Sequence, residues 1–405
     1  MDNPRIEGAS KGSTIVLFAL PLLGHLQQIL QLSSALSSRG VRVLCYSSLA
    51  FAERLTNASA IWRPYPCSLL DGVGYAPDLY LRLMRCAQLL FRNEVARLRE
   101  DRASAIVYDA MLPWGSAVAE SLEVPAVSLV ANFVCHEPVV EMIRNCRVAP
   151  MNIVDLMAGC HARAEAGEVI TQIRSEFGFA LRDVGGMPFP SERLNLVFTS
   201  ALLQHYSEVL DERYVFVGPA LPREAPQEDV VAQDLRDTPL VYISFGTVFN
   251  RDRELFDICF QALSRLKCEV IASTGGSHKA SDFPRAGNAR ILPFVAQSAV
   301  LRRAAVVINN AGMNTVCESL SHGVPVVVIP STEEQDIFAR RLHELGCAVH
   351  IPRAEVSVDT LASRVGHLFE DINARHACER VAESFRTAGG AELAAERIMS
   401  LIENR

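Results

Sequence analysis

The 405-residue chain holds 11 cysteines but no Cys-x-x-Cys pair. Neither a zinc ribbon nor a thioredoxin-like dithiol is therefore encoded. The thiols are scattered and odd in number, and most lie inside apolar runs. They read as small core hydrophobes in a reducing cytoplasm. Clusters of His, Cys, Asp and Glu at metal-ligand spacing are missing, and so is any Asp-x-Asp pair, so no metal is expected. The absence of Gly-x-x-x-x-Gly-Lys-Ser/Thr argues against a P-loop NTPase. The absence of Gly-x-Gly-x-x-Gly argues against a dinucleotide oxidoreductase. Residues 1–13 lack the apolar core of a signal peptide, and no apolar run is long enough to cross a bilayer as a helix. A cytoplasmic protein without integral membrane contact is expected. Excess positive charge is absent too. Lys and Arg number 39 against 46 Asp and Glu, a net charge of −7, which gives no footprint for duplex nucleic acid. Low-complexity segments and short-period repeats are also lacking.

What the chain does have is apolar material, 49 % of its residues, enough for more than one core. Its length predicts two or three domains. Residues 14–20 form a continuous apolar run, the pattern of a strand buried on both faces. A short loop, a helical spacing over 26–38 and a second strand at 41–46 follow. Short strand–loop–helix–strand units of this kind build parallel sheets. The unit recurs with strands at 105–108, 125–130, 194–199 and 215–217, and a mixed helical stretch at 136–185. Residues 218–238 are rich in Pro and acidic residues and read as a linker. A second series then opens, with strands at 240–244, 269–273, 290–292, 306–308, 324–329 and 348–351. Helices are predicted at 252–266, 313–322 and 334–345, and from 356 onward. The fold class is therefore α/β, two doubly wound parallel-sheet domains facing each other. Their ligands belong at the carboxyl ends of the strands, in the cleft.

Polar and glycine residues gather at those ends. At 308–320 a buried strand enters a small-residue turn and then a helix. Gly312 permits close backbone approach, and the free amides of Met313, Asn314 and Thr315 form an anion site with the helix dipole. Glu318 lies one turn on, where a carboxylate suits a ribose diol. The same segment also reads as a capped helix with a solvated glutamate. Ser244, Gly246 and Thr247 repeat this logic after an earlier strand, though such residues are also ordinary turn chemistry. His25 stands where the first strand's loop meets a helix. A neutral imidazole there, its pKa lowered by the dipole, suits removal of a hydroxyl proton. Asp109 ends another strand on the same sheet edge and can orient that ring. Alone, either residue also reads as structural.

The ordered set of motifs resembles the bacterial macrolide-glycosyltransferase type of the family 1 nucleotide-sugar glycosyltransferases, which have the GT-B fold. The likeness runs through Gly24-His25, Asp109 in the stretch 108–114, residues 194–200 and 216–219, the stretch 241–250, and the donor signature 294–335. It implies an acceptor domain over 1–217, a linker over 218–238, a nucleotide-sugar domain over 239–385, and a carboxyl-terminal helix over 386–405 that packs back on the first domain. It makes His25 the base and Asp109 its partner. Phe294 stacks on the nucleotide base, Val295 contacts its edge, and Gln297 and Glu318 take the ribose. Asn310, Gly312, Met313, Asn314 and Thr315 belong to the diphosphate loop. Glu334 and Gln335 grip sugar hydroxyls, and Trp114 and Phe133 face the acceptor. No cofactor is implied beyond the nucleotide sugar itself, UDP-glucose, or alternatively a dTDP-deoxysugar. The acceptor is a small lipophilic hydroxyl compound. Three positions depart from the family: Asn310 stands where a His is usual, Glu334 where an Asp is, and Ala296 where a Pro is. An epimerase or hydrolase of nucleotide sugars, or a silent nucleotide-sugar-binding partner, are the other readings of the same fold.

Overall fold

The computed structural model describes residues 12–67, 79–146, 160–181, 191–221, 238–246, 250–283 and 289–404. The first sheet consists of β1 (Thr14–Phe18), β2 (Arg42–Ser47), β3 (Ile61–Pro64), β4 (Ala103–Asp109), β5 (Ala126–Val130), β6 (Leu194–Val197) and β7 (Tyr214–Phe216). Every strand pair is parallel, in the order β3-β2-β1-β4-β5-β6-β7. Its described helices are α1 (Leu23–Ser37), α2 (Ala52–Asn57), α3 (Leu79–Asn93), α4 (Val95–Glu100), α5 (Gly115–Leu122), α6 (Glu137–Asn145) and α7 (Cys160–Phe177).

The second sheet contains β8 (Leu240–Ser244), β9 (Glu269–Ser273), β10 (Ala289–Leu292), β11 (Ala304–Asn309), β12 (Val326–Val328) and β13 (Ala348–His350). Its order is β10-β9-β8-β11-β12-β13, again all parallel. Helices α8 (Arg253–Leu263), α9 (Gln297–Leu301), α10 (Met313–Ser321), α11 (Glu333–Glu344), α12 (Val358–Leu368), α13 (Ile372–Arg386) and α14 (Gly390–Glu403) follow in chain order.

The strand period of two explains the layering. In β1, Ile15 and Leu17 enter one apolar layer with Leu26, Ile29 and Leu32 of α1. Val16 and Phe18 enter the opposite layer, with Leu83, Met84 and Leu90 of α3. Each such fully buried side chain contributes about 1.5–3 kcal/mol. The second sheet is covered on both faces in the same way.

Strand β3 was not anticipated. Its sequence, Ile61-Trp-Arg-Pro64, carries a charge and a proline, and both fit only an edge position. There Arg63 is buried and bonds Asp101 at 2.5 and 2.9 Å. The strand expected at 194–199 ends at Val197, and the described residues of the helical stretch at 136–185 include α6 and α7. Of the linker expected at 218–238, residues 222–237 lie outside the described residues.

After α13 the chain crosses back. The amide of Gly390 donates to Val217 O at 2.8 Å. Gly389 and Gly390 both take positive φ, +89° and +62°. Helix α14 then lays Ala394, Ala395 and Ile398 into the layer that holds α1. An ion pair between Arg39 and Glu392 closes its outer side. The chain's last helix therefore ties the two sheets together.

Candidate active site

Parallel strands send all their carboxyl ends to one edge. Here the two edges face each other across a cavity of about 840 Å³. The first sheet lines it with Gly24 and His25 after β1, Phe51 and Arg54 after β2, and Asn132 and Phe133 after β5. The second contributes residues after β8, β9, β10, β11 and β12.

His25 lies in the first turn of α1 and is 6 % exposed. Asp109, the last residue of β4, is 2 % exposed and sits 2.7 Å from its Nδ1. A carboxylate only accepts, so Nδ1 carries the proton and Nε2 is left free to take one. Asp109 is itself held by the Met111 amide, which donates to its Oδ1 at 2.9 Å. Burial pushes the His25 imidazolium down. The Asp109 carboxylate, through charge and hydrogen bond, and Glu334 more weakly, outweigh it and hold the pKa above the ordinary histidine value. The lowered pKa expected from the helix start is thus corrected: the pairing with Asp109 raises it.

The turn after β11 is fixed by a side chain the sequence reading passed over. Asn309 is fully buried, and its Oδ1 accepts the Ala311 amide at 2.6 Å. Ala311 takes φ of +60°, whereas Gly312 has φ of −67°. The left-handed residue of this turn is therefore Ala311, and Gly312, expected to permit close backbone approach, is the helix N-cap. No side chain caps α10, and no acid stands in its first turn. The amides at Met313, Asn314 and Thr315 remain open to an anion in the cavity. Asn310 is 4 % exposed and also lines the cavity. Asn314 crosses to the other domain, where its Nδ2 donates to Gly24 O at 3.0 Å.

Beside this loop, Gln297 Nε2 donates to Glu318 Oε2 at 2.5 Å, and Tyr242 Oη donates to Gln297 Oε1 at 3.2 Å. Burial raises the Glu318 carboxyl, and the Gln297 bond lowers it in part. Burial also pushes the Tyr242 phenol up to about 12, so it stays a donor. Phe294 is 66 % exposed on the cavity wall, next to the half-buried Val295. A large aromatic left this bare offers a stacking face. Ser244 and Gly246 line the cavity as well, and Gly246 has φ of +71°. Thr247 lies outside the described residues.

At the other end, Glu334 and Gln335 open α11 after the Thr332 cap. The Ser331 amide donates to Gln335 Oε1 at 2.8 Å. Glu334 Oε1 accepts from Asn132 Nδ2 at 2.6 Å. Burial raises the Glu334 carboxyl, while Asn132 and His25 pull it back. Phe133 lines the cavity, and its ring centroid is 6.5 Å from that of Phe338.

Trp114 is a correction. Its ring is fully buried, edge-on to Phe18 and Tyr65, with centroids 6.3 and 5.6 Å away. It packs the first domain and does not line the cleft, so it is not an acceptor contact. The residues missed from sequence are Arg54, Asn132, Tyr242, Ser273, Gly275 and Thr332, all on the cavity wall. Asn132, Ser273, Gly275 and Thr332 lie at or just after strand ends and fall under the rule used for His25, whereas Tyr242 sits in the middle of β8 and Arg54 on α2. Among the described residues, no group of three His, Cys, Asp or Glu side chains is placed to hold a metal ion.

Residues 257–398 match the family described as erythromycin biosynthesis protein CIII-like, C-terminal domain. Over 402 residues the chain is 28 % identical to NDP-glycosyltransferase YjiC of Bacillus subtilis, covering 96 % of this chain and 97 % of that protein. It is 26 % identical to the uncharacterized UDP-glucosyltransferase YdhE of the same organism, over 97 % of this chain and 99 % of that one. The crystal structure of the glycosyltransferase of kitacinnamycin superposes with a TM-score of 0.80 at 24 % identity, covering 96 % and 99 % of the two chains. The matched carboxyl-terminal segment and these full-length likenesses support a macrolide-type family 1 glycosyltransferase. Its two parallel-sheet domains are those of the GT-B fold. The cleft between the sheets carries every described residue that the resemblance placed at the donor, apart from Glu318, which reaches the cavity wall through Gln297. No helix among the described residues is long and apolar enough to cross a membrane.

Proposed function

We propose that the chain is an inverting hexosyltransferase that moves glucose from UDP-glucose to a hydroxyl of a small lipophilic acceptor. The observation that carries this reading is the buried His25–Asp109 pair at 2.7 Å, set on the wall of a cavity whose far side is an uncapped helix start. His25 Nε2 takes the acceptor proton. The acceptor oxygen then bonds to the anomeric carbon as the bond from that carbon to the diphosphate oxygen breaks. Charge grows on the departing diphosphate. The α10 amides, Thr315 and the loop after β8, with Ser244 and Gly246, face it. Asp109 stabilises the imidazolium, and closure of the cleft excludes the water that would hydrolyse the donor.

The donor's parts distribute along the cavity. Phe294 and Val295 take the base, and the Gln297–Glu318 pair takes the ribose. Glu334 and Gln335 take the hexose hydroxyls. A carboxylate and an amide side by side suit a fully hydroxylated sugar better than a deoxysugar. Phe133 faces the acceptor. The described cysteines are free thiols, which supports a reducing, cytoplasmic setting.

The test is the configuration of the product. NMR of the glycoside made from UDP-α-glucose should show a β-linkage. A retained α-linkage, or a changed or released sugar formed at the same rate without acceptor, would overturn the reading in favour of another mechanism.

A further inference from the structure

We propose that Arg54, on the amino-terminal domain, supplies the positive charge that holds the donor diphosphate. This inference rests on the donor reading above.

A nucleotide sugar is an anion, and the departing nucleoside diphosphate is a stronger one. Among the described residues, the carboxyl-terminal domain meets it with neutral donors: backbone amides of α10, the hydroxyls of Ser244 and Thr315, and the carboxamides of Asn310 and Asn314. Asn310 cannot carry a charge at any accessible pH. Among the described residues, no group of three His, Cys, Asp or Glu side chains is placed to recruit a cation. The lining even adds a negative side chain, Glu334. Charge complementarity therefore has to come from the other wall.

Among the described residues, Arg54 is the only Lys or Arg that lines the cavity. Its side chain is exposed and makes no hydrogen bond or ion pair among the described residues. A guanidinium beside acidic partners would be committed elsewhere; this one is not. The fold delivers it. It rides on α2, directly after the carboxyl end of β2, and β2 is the neighbour of β1. The loop after β1 is pinned to the α10 start through Gly24 O and Asn314 Nδ2 at 3.0 Å. The chain segment bearing Arg54 thus stands beside the one that touches the diphosphate loop. A planar fork of donors is the side chain best matched to phosphate oxygens. Because the guanidinium belongs to the opposite domain, diphosphate binding itself draws the two domains together.

The test is calorimetric titration of the full chain with UDP, dTDP and uridine, for wild type, Arg54→Ala and Arg54→Lys. An exposed, unpartnered residue leaves the melting temperature of each variant unchanged. Arg54→Ala should weaken UDP and dTDP about tenfold or more, and leave uridine unaffected. Arg54→Lys should recover most of the loss. Added salt should weaken UDP binding in wild type and much less in Arg54→Ala. Wild-type affinity for UDP in Arg54→Ala would overturn the inference alone. So would a variant in which only the acceptor KM rises, since the guanidinium would then serve the acceptor. Failure of the wild type to bind either diphosphate would overturn the donor reading, and this inference with it.

Discussion

Asn132 Nδ2 donates to Glu334 Oε1 at 2.6 Å, joining the end of β5 to the first turn of α11 across the cleft. The bond spans two domains, ties down a carboxylate that acts on the His25 pKa, and sits where the hexose is proposed to lie. Replacing Asn132 by Asp puts two carboxylates in contact. Initial rates should then show the UDP-glucose KM raised several-fold, while the acceptor KM changes little.

The pH profile follows from His25. Its pKa lies above 6.5, so the neutral base accumulates only above that value. The acid limb of kcat/KM should fall at a pH higher than 6.5. Asp109→Asn removes the first group that raises it, so the limb should move down and the rate should drop about 10²–10⁴-fold.

The same pair makes a linkage prediction. A raised histidine pKa gives stability that is complete below the unfolded value of 6.5 and is lost as pH rises through the folded one. Urea midpoints measured at pH 6 and pH 9 should therefore converge in Asp109→Asn relative to wild type.

The loop after β11 depends on Asn309. Asn309→Ala removes the acceptor that satisfies the Ala311 amide in its left-handed conformation. Denaturant titration should show a loss of about 1–3 kcal/mol, and UDP affinity should fall as the α10 start loses its fixed position.

Asn310 offers the converse experiment. Asn310→His places a group that can be charged on the carboxyl-terminal wall. In the Arg54→Ala background it should restore UDP affinity at pH 6 more than at pH 8, as read by titration calorimetry.

The parallel sheets were legible because their strands are continuous apolar runs with short connections. His25, Asp109 and the α10 loop were legible because one rule, polar groups at strand ends, finds them all. Strand β3 escaped because Arg63 and Pro64 break the apolar pattern, and only the Asp101 partner, distant in sequence, makes an edge strand of it. Trp114 was misplaced because an aromatic after a strand can turn either way, and here it turned into the Phe18–Tyr65 cluster. Ala311 was overlooked because its left-handed backbone is imposed by a neighbour's side chain rather than by its own type. Arg54 lies on α2 beyond any strand end and gains meaning only from the opposite domain, which no local pattern encodes.

The most direct measurement is turnover of UDP-glucose with a hydroxyl acceptor by His25→Ala, alongside its affinity for UDP. UDP should bind as it does to wild type, while transfer falls at least about a hundredfold. Undiminished transfer with intact UDP binding would contradict the assignment of His25 as the base.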